Sequence, residues 1–200
     1  MGIEIEYKLH VAGEAALDRL LTAPELESLR ITPWRETRMK TTYYDTLDGH
    51  LSDRRWMLRL RKENGVGIVC LKTPLPGQEG RGEWQISAEA VDAAAIEHLI
   101  EAGAPEALRE LCAGGLCAVC GAEFLRRSAM LELPDGSRAE AAGDCGRLFG
   151  KTQTLPFTEL ELELYHGGPE ATKQLVATLC QRYGLSEEPQ SKAARARALQ

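Results

Sequence analysis

Several things are scarce or missing in this 200-residue chain. No apolar run approaches the roughly 20 residues that a spanning helix needs. No cationic segment precedes an apolar stretch at the start, where Glu4 and Glu6 fall in the place of a signal core, so a cytoplasmic location is expected. Positive charge is in deficit: 24 bases against 30 acids leave a net charge of −6, which argues against a duplex-nucleic-acid partner and leaves room for a local basic site. Six cysteines (Cys70, Cys112, Cys117, Cys120, Cys145, Cys180) are too few for a disulfide scaffold. Their one cluster, Cys112 to Cys120, has a CxxC but no second CxxC or His pair to complete a zinc site, and reads as small buried residues near a helix end. There is no GxGxxG after a strand and no GxxxxGK[ST]. No motif sets a Ser or Cys beside His10, His50, His98 or His166, which excludes a recognisable nucleophilic triad.

What is present is the balance of a globular protein, 44% hydrophobic and 27% charged, with no repeat or linker dividing it, so residues 1–200 are expected to form one domain. Strand alternation runs over 3–11, 38–46, 54–62, 67–72 and 82–87. It is broken by the turn chemistry of Asp48-Gly49, Glu63-Asn64-Gly65 and a loop over Pro74–Gly80. A second strand set covers 123–133, 137–144 and 158–165, with a Pro134-Asp135-Gly136 turn. Helical spacing marks 14–22, part of 87–101 with Ser87 as N-cap and Gly103 as stop, 168–185 and 191–200. Hairpin-linked strands with helices between and after them imply an antiparallel α+β architecture.

The chemistry is written on the strand faces, because residues two apart share a face. Glu4, Glu6 and Lys8 oppose Ile3, Ile5, Tyr7 and Leu9. Arg59 and Arg61 oppose Leu58 and Leu60, while Glu159, Glu161 and Glu163 oppose three leucines. Any one such strand reads as a solvated face of a half-buried sheet. Together they carry like charges that repel unless counter-charges lie opposite. Curled inward, these faces make a polar tunnel whose apolar outer side is covered by the amphipathic helices. Clustered carboxylates suit Mg²⁺ or Mn²⁺, and clustered Arg and Lys suit phosphate oxygens, which is the composition needed to hydrolyse a polyphosphate.

In chain order the sequence carries Glu4-Ile5-Glu6-Tyr7-Lys8, Tyr43-Tyr44-Asp45-Thr46, Leu58-Arg59-Leu60-Arg61, Leu71-Lys72, Arg81-Gly82-Glu83, Arg126-Arg127, Asp144-Cys145-Gly146, Glu159 to Glu163 and Ser191-Lys192-Ala193. This ordered set, beginning with ExExK and running from residue 3 to about 195, resembles the CYTH superfamily, the triphosphate tunnel metalloenzymes. The resemblance implies an eight-stranded antiparallel β tunnel, a closed barrel with helices packed outside. It implies that Glu4, Glu6, Glu159 and Glu161 hold Mg²⁺ or Mn²⁺, that Lys8, Arg59, Arg61, Lys72, Arg126 and Lys192 bind a small-molecule triphosphate, and that Lys8 and Glu6 act in catalysis. Glu83, Asp144 and Glu163 would complete the acidic lining, and metal-activated water would attack the terminal phosphorus. The activity implied is a metal-dependent hydrolase of inorganic triphosphate or triphosphate esters. Thiamine triphosphatase, a class IV-type adenylate cyclase and a non-catalytic polyphosphate- or nucleotide-binding module are the alternatives, and no membrane partner is expected.

Parity leaves three positions to the fold. Only one of Arg126 and Arg127 can face inward, and Arg127 shares its face with Leu125, Ala129, Leu131 and Leu133, which favours Arg126. Lys72 shares its face with Ile68 and Cys70, so an inward Lys72 calls for a strand end or a bulge. The tail around Lys192 reads by itself as a frayed helix, although its Ser-Lys-Ala matches the superfamily's closing motif, whose lysine enters the tunnel. Tyr44 reads as core.

Overall fold

A computed structural model of the chain describes residues 2–75, 77 and 80–199. Residues 76, 78 and 79 of the expected Pro74–Gly80 loop, and residue 200 of the last helix, lie outside the described residues. Strands β1 (Gly2–His10), β2 (Arg35–Thr46), β3 (Met57–Glu63), β4 (Val66–Pro74), β5 (Arg81–Ser87), β6 (Leu116–Glu132), β7 (Arg138–Phe149) and β8 (Thr154–His166) pair antiparallel in the order β5-β4-β3-β2-β6-β7-β8-β1. The barrel closes because β1 also pairs with β5, Glu4 lying opposite Arg81. A two-residue strand, β9 (Ser186–Glu187), adds to β1. The helices are α1 (Glu14–Leu21), α2 (Pro24–Glu27), α3 (His50–Asp53), α4 (Ala93–Glu101), α5 (Ala107–Cys112), α6 (Glu170–Tyr183) and α7 (Lys192–Arg197). Among the described residues no helix is long and apolar enough to cross a membrane.

Local chemistry explains the joints. Asn64 and Gly65 both take positive φ, the backbone that a two-residue hairpin between Glu63 and Val66 requires. Ser87 closes β5, so the N-cap of α4 is Asp92 instead, whose carboxylate accepts from Ala95 N at 2.9 Å. The expectation of a Ser87 cap misjudged how far the strand runs before the chain turns. Gly103 at φ +97 does end α4, its N–H donating to Ile100 O.

The apolar strand faces point outward, as strand parity requires, and helices cover them in two patches. Leu17, Leu20 and Leu21 of α1 with Leu175, Val176 and Leu179 of α6 pack on Leu9, Leu131, Leu160 and Leu162. Ile96 and Leu99 of α4 with Leu108 of α5 pack on Leu58, Val69, Leu71 and Trp84, with Tyr44 at the edge. Each leucine so buried stabilises the fold by ~1.5–3 kcal/mol relative to exposure. A third cluster lies on the inward faces of β2, β6, β7 and β8, where Ala193 and Ala196 of α7 pack on Met39, Tyr43, Phe124, Leu148 and Phe157. The chain's last helix therefore lies against the tunnel, with Lys192 buried, and is no frayed tail.

The cysteine segment divides between two elements: Cys112 ends α5, while Cys117 and Cys120 belong to β6. All six cysteines are free thiols, and among the described residues no cysteine joins a metal-ligand group.

Candidate active site in the tunnel

The inward strand faces enclose a cavity of about 500 Å³, within the usual range for a small-molecule site. Lining it are Glu4, Glu6 and Lys8 of β1, Arg59 and Arg61 of β3, Lys72 of β4, Arg81 and Glu83 of β5, Arg126 of β6, Glu161 and Glu163 of β8, and Lys192 of α7. Parity chose between the arginines of β6: Arg126 faces the cavity, and Arg127 reaches out to Asp18 on α1 at 2.6 Å. Lys72 needs no bulge, because Ile68 lines the tunnel too, and Cys70 on the same face donates its S–H to Glu83 Oε1 at 3.0 Å. The four histidines stay off the tunnel lining among the described residues.

The carboxylates form two groups that the sequence spacing did not foretell. Glu4, Glu83 and Glu163 can each offer an oxygen within 4.8 Å of the others, and so can Asp144, Glu159 and Glu161. Glu4 and Glu159 thus fall in different groups, and Glu6 stands apart, accepting from Lys8 Nζ at 2.9 Å. The groups also differ in charge balance. Asp144 receives a two-pronged fork from Arg126 (2.8 and 2.7 Å) and lies 2.7 Å from Lys192 Nζ. Glu161 pairs with Arg126 and Lys192, and Glu159 with Lys192 and Arg195. Three acids there meet three bases. Burial works against the charge on Glu161, yet Lys192 and Arg126 hold its carboxyl well below the ordinary carboxylate range. Phe124 and Phe157 face Lys192 Nζ at 5.1 and 5.5 Å, adding cation–π support.

The other group makes fewer direct ion pairs, although against burial Lys72, the Cys70 S–H and Arg59 hold the Glu83 carboxyl below its ordinary value. Lys72 pairs with Glu4 and lies 3.7 Å from Glu83, and Arg59 comes no nearer than 3.8 Å to Glu83. Glu163 sits directly opposite Glu6 on β1 and Glu140 on β7, a row of three carboxylates across three strands. Like charges so placed repel. Burial, reinforced by the Glu4 carboxylate, pushes the Glu163 carboxyl up to about 7. Glu4 is raised as well, first by burial and in spite of Lys72. An oxygen-only donor set with surplus negative charge fits a hard divalent cation.

A CYTH domain model matches residues 2–196 of the sequence. The chain belongs to the CYTH domain family. Among solved structures it is similar to HpAC1 from Hippeastrum, provisionally named an adenylyl cyclase and described as having a dominant triphosphatase activity. The identity is 20%, with 98% of each chain covered and a TM-score of 0.62. A protein from Pyrococcus horikoshii matches at 16% identity over 96% of this chain and 97% of that one, TM-score 0.58. A Vibrio parahaemolyticus protein provisionally named an adenylate cyclase matches at 17% over 94% of each, TM-score 0.55. At these identities the likeness is one of fold.

The CYTH tunnel also draws in residues that sequence reasoning left off the site. Arg81 lines the cavity on the face of Glu83, a parity visible in the sequence. Arg35 lies on the part of β2 that precedes the expected start at Arg38. Arg195, three residues after Lys192 and so on the same side of α7, reaches Glu159. Tyr165 continues the face of Glu161 and Glu163.

Proposed function

We propose that this CYTH protein is a divalent-metal-dependent hydrolase of inorganic triphosphate or triphosphate esters, working with Mg²⁺ or Mn²⁺. The observation that carries the reading is a pair of unmet demands on residues that line one cavity. Arg59 and Arg61 each bury an Nε–H that has no hydrogen-bond partner among the described residues, and Glu4 buries an Oε2 in the same condition. A buried donor or acceptor left unpaired costs ~1–3 kcal/mol, and more when charged. A phosphate oxygen answers the arginines and a hard cation answers the carboxylate. A triphosphate carrying its cation supplies both.

The cation belongs with Glu4, Glu83 and Glu163, beside Glu6, where negative charge is in surplus. A divalent ion bound there supplies charge neutralisation and a water of lowered pKa. Arg59 and Arg61 grip phosphate oxygens through planar forks, and Arg81 and Lys72 add charge on the same wall. Lys8, oriented by its hydrogen bond to Glu6, is placed to donate to a phosphate oxygen as charge develops on it. Arg126 and Lys192 approach from the opposite wall. Their balance with Asp144, Glu159 and Glu161 fixes their position before substrate arrives, the preorganisation that lets a charged site act without rearranging. Glu159 and Glu161 are thereby proposed to hold these bases, and a cation bound to them has to displace Lys192.

A substrate panel tests the reading: tripolyphosphate, ATP and thiamine triphosphate with Mg²⁺ or Mn²⁺, scored for phosphate, pyrophosphate and cyclic AMP. Phosphate release from at least one triphosphate is expected, abolished in Glu4→Gln. Cyclic AMP with pyrophosphate from ATP would make the chain a cyclase, and tight binding without turnover would make it a binding module.

A further inference from the structure

Tyr165 is the one tunnel-lining aromatic, among the described residues, that stays largely uncovered. Tyr43 and Phe124 are buried in the inner apolar cluster, whereas Tyr165 is 60% exposed. It sits at a β-bulge. Along the β7–β8 ladder Ala139 pairs with Leu164 and Arg138 with His166, so Tyr165 is the extra residue opposite no partner. A bulge at the rim of a barrel bends the strand and re-aims the side chain it carries. The strands beside it bring polar groups to the same rim. Arg35 lies opposite Ser128, Ser128 opposite Ala142, and Glu140 opposite Glu163, and Arg35, Ser128 and Glu140 all line the cavity.

A tunnel built for inorganic triphosphate alone has no use for an uncovered aromatic ring at its charged rim. A heteroaromatic group attached to the triphosphate gives that ring a task, because base-on-aromatic stacking tolerates any flat π system. Arg35, Ser128 and Glu140 supply the donors and acceptors that the edge of such a ring seeks. The phosphates would enter toward Arg61 and Arg59 while the ring remained at the rim.

We infer that Tyr165 is a stacking platform for the aromatic moiety of a triphosphate ester, and so the residue by which the tunnel prefers such an ester to inorganic triphosphate. The inference rests on the triphosphate-tunnel reading above and extends it to substrate class. Two sources share the chemistry, a nucleoside triphosphate and thiamine triphosphate.

The experiment measures binding, so that it reads out whether or not anything is hydrolysed. Dissociation constants with Mg²⁺ are compared for the β,γ-methylene analogues of ATP, of thiamine triphosphate and of tripolyphosphate, in the parent, Tyr165→Ala and Tyr165→Phe. The ratio of ester Kd to tripolyphosphate Kd is expected to rise about tenfold in Tyr165→Ala, equivalent to about 1.4 kcal/mol, and to stay near the parent value in Tyr165→Phe. The ester whose ratio moves more is the better fit to the rim. An unchanged ratio for both esters overturns the inference, and so does a parent that binds neither. A parent that hydrolyses none of the panel, while the ratio still shifts, defeats the hydrolase reading and leaves the platform standing. Thermal melts of both variants confirm folding, which an exposed side chain at a bulge gives no reason to disturb.

Discussion

Arg59 and Arg126 both point into the tunnel, yet their surroundings assign them different work. Arg126 already spends its fork on Asp144, a carboxylate with no exposed surface. Removing it leaves that charge with Lys192 alone, and breaking a buried ion pair costs ~3–5 kcal/mol. Arg126→Ala should therefore lower unfolding free energy by about 3 kcal/mol in a denaturant titration, as well as harming activity. Arg59 keeps a buried Nε–H free, and its nearest acid, Glu83, retains Lys72 and Cys70. Arg59→Ala should leave the denaturation midpoint nearly unchanged. It should raise KM for the triphosphate by roughly 10–100-fold, the ~1.5–3 kcal/mol of a hydrogen bond to a charged group. If instead Arg59→Ala melts the protein and Arg126→Ala does not, the two walls have been assigned the wrong way round.

At the scale of elements, α7 and α3 are tied to the barrel by one buried carboxylate. Asp45, at the end of β2, accepts from Thr46 N at 2.8 Å and Leu51 N at 3.0 Å, from the Ser52 hydroxyl, and from Arg197 on α7 at 2.6 Å. Losing Arg197 leaves Asp45 with its α3 donors, whereas losing Asp45 strands several buried donors together. Asp45→Ala should cost about 4 kcal/mol at ~1 kcal/mol per hydrogen bond lost, and Arg197→Ala well under half of that. Both figures are measurable by equilibrium unfolding. The same helix separates structure from binding: Lys192 faces the cavity, and Arg197 does not line it. Lys192→Ala is expected to lower kcat/KM at least 100-fold, and Arg197→Ala less than fivefold. Equal losses in the two variants would mean that α7 acts only as packing.

The molecule as a whole keeps its stability and its function in different places. Its two outer apolar clusters and the inner one hold the barrel together without any ligand, while Glu4, Glu6, Glu83, Glu140 and Glu163 repel one another inside. A cation relieves that repulsion, so Mg²⁺ or Mn²⁺ at 100 times its Kd should stabilise the fold by ~2.7 kcal/mol. For a chain of this size that is a rise in Tm of roughly 5–10 °C. Chelator should return the melt to its starting value without unfolding the protein at 25 °C, and Glu163→Gln should shrink the metal-induced shift. A metal-independent melt in the parent would remove the cation from the acidic wall.

Which side of each strand carries the chemistry was legible along the chain, because side-chain alternation is a local property of the backbone. Glu4, Glu6, Arg59, Arg61, Arg126, Glu161 and Glu163 all line the cavity that their parity and the outer leucines required. Helices α1, α4, α6 and α7 were legible from their periodicity, whereas α2, α3 and α5, each of six residues or fewer, were not. Neighbours across the barrel were not. The register of β1 on β8 puts Glu6 opposite Glu163 and Lys8 opposite Glu161, and the closure of β1 on β5 gathers Glu83 rather than Glu159 to Glu4. No residue near Glu4 in sequence encodes that register. The same holds for Asp45 meeting Arg197 and for Lys192 reaching Asp144, contacts that exist only once the last helix has docked against the finished barrel. Chain-local geometry decided what faces inward; closure and docking decided which charges meet there, because ion pairing depends on distances that only the folded register sets.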